Sequence, residues 1–173
     1  ESFLSFGLEL HPTKTRLIEF GRYAEVNRQQ RGLGKPETFV FLGFTHYCTR
    51  YGKGPRGVLR RRTVTKRLAS KLQQVKTELR ARRHQPIPVQ GLWLKDVVRG
   101  FFNYHAVPGN CEALCRFRDE TARHWLRSLR SRSQKARRTM QWARFEKLKN
   151  RWLPPAVISH PYPNVRFYRD HPR

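Results

Sequence analysis

The apolar residues of this chain change their period at Thr63, and the two sides of that change have different structural futures. Residues 16–20 and 38–48 are rich in β-branched and aromatic side chains, which suit a pleated surface. Gly52, Gly54, Pro55 and Gly57 then mark a turn before Val58 and Leu59, so a strand followed by a hairpin is expected. In the longer strand, Phe39, Phe41, Thr45 and Tyr47 share one face and Val40, Leu42 and Phe44 the other. Both faces are apolar, so cover on both sides is expected. Residues 21–35 are polar, with Arg22, Arg28, Arg31 and three glycines, and read as an exposed loop.

From Val64 the spacing is helical. Val64, Leu68, Leu72, Val75 and Leu79 follow one another at intervals of 4, 4, 3 and 4, a single inward stripe. Pro86 and Pro88 are expected to end that helix. Residues 92–105 then carry two stripes, Trp93, Val97, Phe101 and Tyr104 beside Leu94, Val98 and Phe102, as a central helix does. Pro108-Gly109-Asn110 makes a turn with Asn110 as N-cap. The next helix carries Leu114, Phe117, Thr121, Trp125 and Leu129 inward, and a fourth over 134–152 carries Trp142, Phe145, Leu148 and Trp152. Pro154-Pro155 stops it. The fold class is therefore α+β: a small antiparallel β unit over 1–63, a unit of about four helices over 64–153, and a Pro and aromatic tail over 154–173 lying extended on the surface. Phe3-Leu4-Ser5-Phe6-Gly7 reads as a last helical turn closed by glycine, which points to a segment before Glu1.

Charge narrows the function. The chain carries 37 Lys and Arg against 12 Asp and Glu, for a net +25. Residues 60–151 hold 25 of those bases and 6 of the acids, +19 of the total. So much uncompensated charge on one helical unit repels itself unless a polyanion binds. Aromatics at 12%, with four tryptophans, distinguish the chain from a disordered basic tail. No apolar run is long enough to span a bilayer, so no membrane partner is expected. Cys48, Cys111 and Cys115 are too few for a disulfide framework, and no apolar signal segment opens the chain. A reducing cytoplasmic setting, in association with nucleoid or RNA, is expected.

Three blocks carry a resemblance. Leu8-Glu9-Leu10-His11-Pro12-Thr13-Lys14-Thr15-Arg16 and Phe39-Val40-Phe41-Leu42-Gly43-Phe44 resemble, in order, the two blocks that follow the catalytic strand of bacterial group II intron reverse transcriptases. Val98-Arg99-Gly100-Phe101-Phe102-Asn103-Tyr104-His105 resembles the core of the maturase-specific region of that family, its thumb. The resemblance spans nearly the whole chain and implies the end of a palm followed by a thumb. It implies group II intron RNA and an RNA or DNA template-primer as partners, together with the missing N-terminal fingers and palm. It also implies assistance in intron splicing, and Mg2+ as cofactor of the complete polymerase only. The family's Tyr-Ala-Asp-Asp motif does not occur here, and Asp96, Asp119 and Asp170 are the only aspartates. Two-metal transfer needs clustered carboxylates, so no catalytic residue and no metal or cofactor is expected in this chain. Two alternatives stay open: part of an active RNA-directed DNA polymerase whose catalytic half lies elsewhere, or a general basic nucleic-acid-binding protein.

The candidate contacts follow. Arg60, Arg61, Arg62, Lys66, Arg67 and Lys71 are the candidates for a phosphate track. Arg116, Arg123, Arg127, Arg130, Arg137 and Arg138 add guanidinium groups suited to bidentate phosphate bonds. The alternative for both sets is a solvated face. Arg99, Asn103 and Tyr104 sit on the most apolar helix, where Arg99 and Asn103 either reach RNA or satisfy partners inside the fold. By resemblance Lys14 lies near the incoming nucleotide; otherwise it is a loop lysine. Phe41, Leu42, Gly43 and Phe44 are primer contacts by resemblance and core by composition. Asp119-Glu120, among Arg116, Arg118 and Arg123, reads as salt-bridging. Cys111 and Cys115, four apart with no second pair, read as free buried thiols rather than as zinc ligands.

Overall fold

The structure, a computed structural model, describes residues 7, 11, 15–21, 23–50 and 57–162. It divides into two compact units, one of residues 1–39 and 47–59, the other of 40–46 and 60–173. The division does not follow the change of period at Thr63, because the tip of the first hairpin belongs with the helices.

In the smaller unit, α1 (Ala24–Gln30) occupies the segment expected to be a loop. Its polar sequence hid it: only Ala24 is buried. Glu19 pairs with Arg31 and accepts from the Asn27 amide at 3.2 Å, which fastens the helix to the chain before it. Gly32, at φ 68°, stops the helix with the left-handed residue that a C-terminal glycine supplies. Residues 15–20 form no strand. They are held instead by an Arg16–Glu37 ion pair at 2.7 Å and an edge-to-face contact of Phe20 with Phe39 at 4.9 Å.

The segment expected to be one long strand is two. β1 (Phe39–Phe41) turns at Leu42-Gly43 into β2 (Phe44–Arg50), and β3 (Gly57–Thr63) completes a sheet of order β1-β2-β3. A two-residue connection and one of six residues are too short for parallel crossovers, so the sheet is antiparallel. The expected cover on both faces is not found: Val40, Phe41 and Leu42 stay 63%, 59% and 63% exposed. β1 is only three residues long and runs straight into the turn, so it offers little area for a second layer.

The larger unit is a helical bundle of α2 (Thr65–Ala81), α3 (Ile87–His105), α4 (Cys111–Arg130), α5 (Gln134–Thr139) and α6 (Trp142–Trp152). Pro86 and Pro88 begin α3 instead of ending α2, because a proline in the first helical turn gives up no hydrogen bond the helix would have made. Leu68, Leu72, Val75 and Leu79 of α2 meet Leu94, Val98, Phe101 and Phe102 of α3 and Leu114, Phe117, Trp125 and Leu129 of α4 in one core. Phe101 and Phe117 stack at 3.9 Å at its centre. The expected fourth helix is broken at Met140, which turns inward while its carbonyl accepts from Arg130 Nε at 2.9 Å. Trp142, expected inward, is 45% exposed; Phe145 is fully buried.

Buried polar side chains finish the helix ends. Gln90, fully buried, donates to the Arg82 and Arg83 carbonyls at 2.5 and 3.2 Å and accepts from Trp125 Nε1 at 2.8 Å. Ser128 Oγ donates to the Leu79 carbonyl at 3.0 Å. Carbonyls at the end of α2 that lack intrahelical donors are thereby satisfied. Gly91 admits the indole of Trp152, since a Cβ there would lie 2.5 Å from the ring. Residues 154–162 of the tail form neither helix nor strand, and 163–173 lie outside the described residues. Arg118 bonds the Leu153 and Pro154 carbonyls at 3.3 and 3.0 Å, and the Ser159 and His160 amides donate to Ala106 O at 3.2 and 3.1 Å. No described helix is long and apolar enough to cross a membrane.

Candidate nucleic-acid interface

The hairpin tip holds the one non-glycine residue with a positive φ among the described residues. Leu42 and Gly43 have φ of 47° and 81°, the positive pair of a type I′ turn, which favours Asn-Gly because side chains with branched bulk resist the left-handed region. Leucine in that position costs about 1 kcal/mol or more. The helical unit holds the turn in place. Tyr104 Oη donates to Leu42 O at 2.6 Å, Val64 N donates to Gly43 O at 3.0 Å, and Phe44 stacks on Tyr104 at 5.6 Å. Gly43 lies under Arg67, where a Cβ would meet Nη1 at 2.8 Å. Of the four candidate primer contacts, Gly43 and Phe44 are buried in this brace and Phe41 and Leu42 face solvent.

Beneath the turn, β3, α3 and α4 are joined by polar bonds. Asn110 is the residue before α4 as expected, but its side chain does not cap the helix. Its Oδ1 accepts from Thr63 N at 2.9 Å, and its Nδ2 donates to Thr63 Oγ1 at 2.7 Å and to His105 O at 2.8 Å. Thr63 Oγ1 lies 3.1 Å from His105 Nδ1. With Asn110 donating to the hydroxyl oxygen, the Thr63 proton is free to be donated to Nδ1 of a neutral His105. Burial among Phe44, Phe101 and Tyr104, and then the charge of Arg67, hold His105 down at about 4. His105 is neutral at pH 7.

Two clefts open on either side of Tyr104. One, of about 440 Å³, is lined by Phe41, Leu42, Phe44, His46, Arg61, Asn103, Tyr104, Val107, His160 and Pro161. The other, of about 360 Å³, is lined by Arg67, Lys71, Asp96, Val97, Gly100, Phe101, Tyr104 and His105. Six candidate contacts, Phe41, Leu42, Phe44, Arg61, Asn103 and Tyr104, thus share one cleft, and Arg67 and Lys71 share the other with Tyr104. Sequence reasoning missed His46 and His160, which come from distant segments. It also missed Thr63 and His105, whose roles arise only from the packing of β3 on α3. His46 is held below its usual value by burial foremost and by Arg61.

The remaining candidates are spread. Lys66, Arg99, Arg116, Arg127, Arg137 and Arg138 are exposed, so Arg99, like Asn103, faces solvent rather than the core. Arg62 pairs with Glu112 at 3.2 Å and Arg123 with Glu120 at 2.5 Å. Arg60 is half-buried, and Arg130 is occupied with the α5 to α6 break. Lys14 lies outside the described residues. Asp119, expected to pair with a neighbouring arginine, instead takes Lys149 of α6 at 2.8 Å. Cys111 and Cys115 are exposed, not buried, with sulfurs 3.9 Å apart. Among the described residues no group of three or more metal-ligating side chains occurs.

A braced turn with an exposed tip thus stands beside two clefts lined by aromatic and basic side chains. Compared with protein-family models, characterised proteins and solved structures, the chain matches none.

Proposed function

We propose that this chain binds RNA as the end of a reverse-transcriptase palm and the thumb of a group II intron maturase. In the complete protein it would help the intron fold and splice, and would hold the template-primer. The observation that carries the reading is the Leu42-Gly43 turn. Strained backbone persists where surrounding structure over-determines it, and such positions cluster at functional sites. Here Tyr104, Val64 and Arg67 fix a turn whose tip presents Phe41 and Leu42 to solvent. The net +25 supplies the sequence-independent share of affinity, while Phe41, Tyr104 and Asn103 supply stacking and hydrogen-bonding groups suited to unpaired bases.

The test is a salt-series titration of the whole chain against a folded group II intron, an unrelated RNA of equal length and duplex DNA. Steep salt dependence is expected with all three, since counterion release ignores sequence. Preference for the intron by about tenfold, ~1.4 kcal/mol, is the expected result. Equal binding of all three would replace this reading with that of a general basic nucleic-acid binder.

A further inference from the structure

Within the cleft below the hairpin tip, we infer that one unstacked nucleobase of a bound RNA strand is received, its ring against Phe41 and Tyr104 and its phosphate on Arg61. The inference rests on the RNA-binding reading and deepens it by assigning what this cleft takes.

Four observations converge. The volume, about 440 Å³, falls within the ~300–1,000 Å³ of clefts that hold small ligands, and suits one nucleotide better than a duplex. Two of its aromatic walls have free area: Phe41 is 59% and Tyr104 48% exposed. Such rings are costly to leave in water and can stack on any base. The cleft's charge is one-sided. Arg61 forms none of the ion pairs among the described residues, and none of the lining residues is acidic, so an anion is favoured at its mouth.

Polar edges are present too. The side-chain amide of Asn103 makes no hydrogen bond among the described residues, whereas its backbone carbonyl accepts from His160 Nε2 at 2.6 Å. That leaves one donor and one acceptor group facing the cleft, which is what the Watson–Crick edge of a base requires. Tyr104 is fixed by the bond from its Oη to Leu42 O, so its stacking face is preorganised and needs little ordering on binding. The second cleft, with Asp96 in its lining, lacks this complementarity.

The experiment uses the whole chain and a short single-stranded RNA, hexauridylate bearing one 5-iodouridine, which on irradiation joins to an aromatic ring it lies against. Labelling is expected on Phe41 or Tyr104. It is expected to be suppressed by excess unmodified hexauridylate, and far less by a ribose-phosphate hexamer of the same charge that carries no bases. Replacing the exposed ring in Phe41→Leu is expected to weaken hexauridylate at least about fivefold, the lower end of one base-stacking contact, without weakening the abasic hexamer. The deoxy hexamer run in parallel tells whether sugar matters; label at the same rings supports base reception with either sugar.

Label falling elsewhere, as on exposed Trp142 or Tyr162, overturns the inference while leaving RNA binding intact. So does equal competition by the abasic hexamer, which would mean the cleft reads phosphate alone. Absence of any RNA binding would overturn the RNA-binding reading itself, and the titration with folded RNA separates that failure from the first two. If Phe41→Leu does not fold, Arg61→Gln serves in its place, with the same label expected at reduced yield.

Discussion

The two ends of α3 are built from similar materials for opposite purposes. At the N-terminal end, Gln90 and Gly91 are sealed: the amide bonds α2 carbonyls and Trp125, and the glycine gives way to Trp152. At the C-terminal end, Asn103 and Tyr104 look outward, and His105 is suspended in a small polar network beneath a strained turn. One helix therefore anchors the bundle with its first turns and presents a surface with its last. The lesson is that a buried polar group alone does not mark a functional site. Gln90 is better buried than His105, yet it lines neither cleft beside Tyr104.

The anchor end sets the largest expected effect. Gln90→Leu removes the donors to Arg82 O and Arg83 O and the acceptor of Trp125 Nε1, leaving buried groups unpaired, and should cost on the order of 3 kcal/mol. Gly91→Ala, which drives a Cβ into the Trp152 ring, should cost ~1–3 kcal/mol. Denaturant titration reads both, and RNA affinity per folded molecule should be unchanged. A loss of stability under ~1 kcal/mol for Gln90→Leu, or a specific loss of RNA affinity, would dissolve the distinction between the ends.

At the other end the effect depends on pH. His105 titrates near 4 when folded and near its ordinary ~6.5 when unfolded, so between those values the unfolded chain binds more protons. Stability therefore rises with pH across that window; it is fully present above about 6.5 and lost as pH falls toward 4. With solvent screening allowed for, the half-exposed ring contributes ~1–2 kcal/mol. His46 and His124, also held low by burial, push in the same direction. Thermal melts of the protein and of His105→Gln across pH 4 to pH 7 isolate the His105 share. Parallel curves for the two would show that its burial carries no linkage.

How much of this was legible in the sequence follows from how local each signal is. The inward stripes of α2 and α4 were readable because each helix buries one face, and a 3.6-residue period records that directly. The Leu42-Gly43 turn was not, since leucine conceals a positive φ that glycine or asparagine would announce. The split at Met140 depends on an arginine ten residues away. For the candidate interface, Phe41, Leu42, Phe44, Arg61, Asn103 and Tyr104 were named from sequence. Their meeting in one cleft, and the arrival of His46 and His160, required strands and a tail whose packing no local period encodes. Asn110 was placed correctly as the residue before α4 and misread as its cap, because the competing donors and acceptors lie on Thr63 and His105.

The turn offers a sharper contrast. Asparagine tolerates the left-handed region that leucine resists, so Leu42→Asn should stabilise the protein by ~0.5–1 kcal/mol. It also removes an apolar side chain that is 63% exposed, and single-stranded RNA affinity should fall a few-fold. Opposite signs for stability and binding are what a strained functional turn gives. Gains in both would mean that the leucine is merely tolerated.

The smallest expected effect decides whether the presenting end of α3 acts alone. Arg116 and Arg127 are exposed on α4 and line neither cleft. Arg116→Gln and Arg127→Gln should each leave stability within ~0.5 kcal/mol, as surface substitutions do. If each touches a phosphate, it should flatten the logarithmic salt dependence of RNA binding by about 0.7–0.9, and the interface then continues from the α3 end along α4. An unchanged slope in both, with the slope flattened in Arg61→Gln, would confine it to the clefts beside Tyr104. The charge on α4 would then serve as a solvated, attractive background that speeds encounter without fixing the strand.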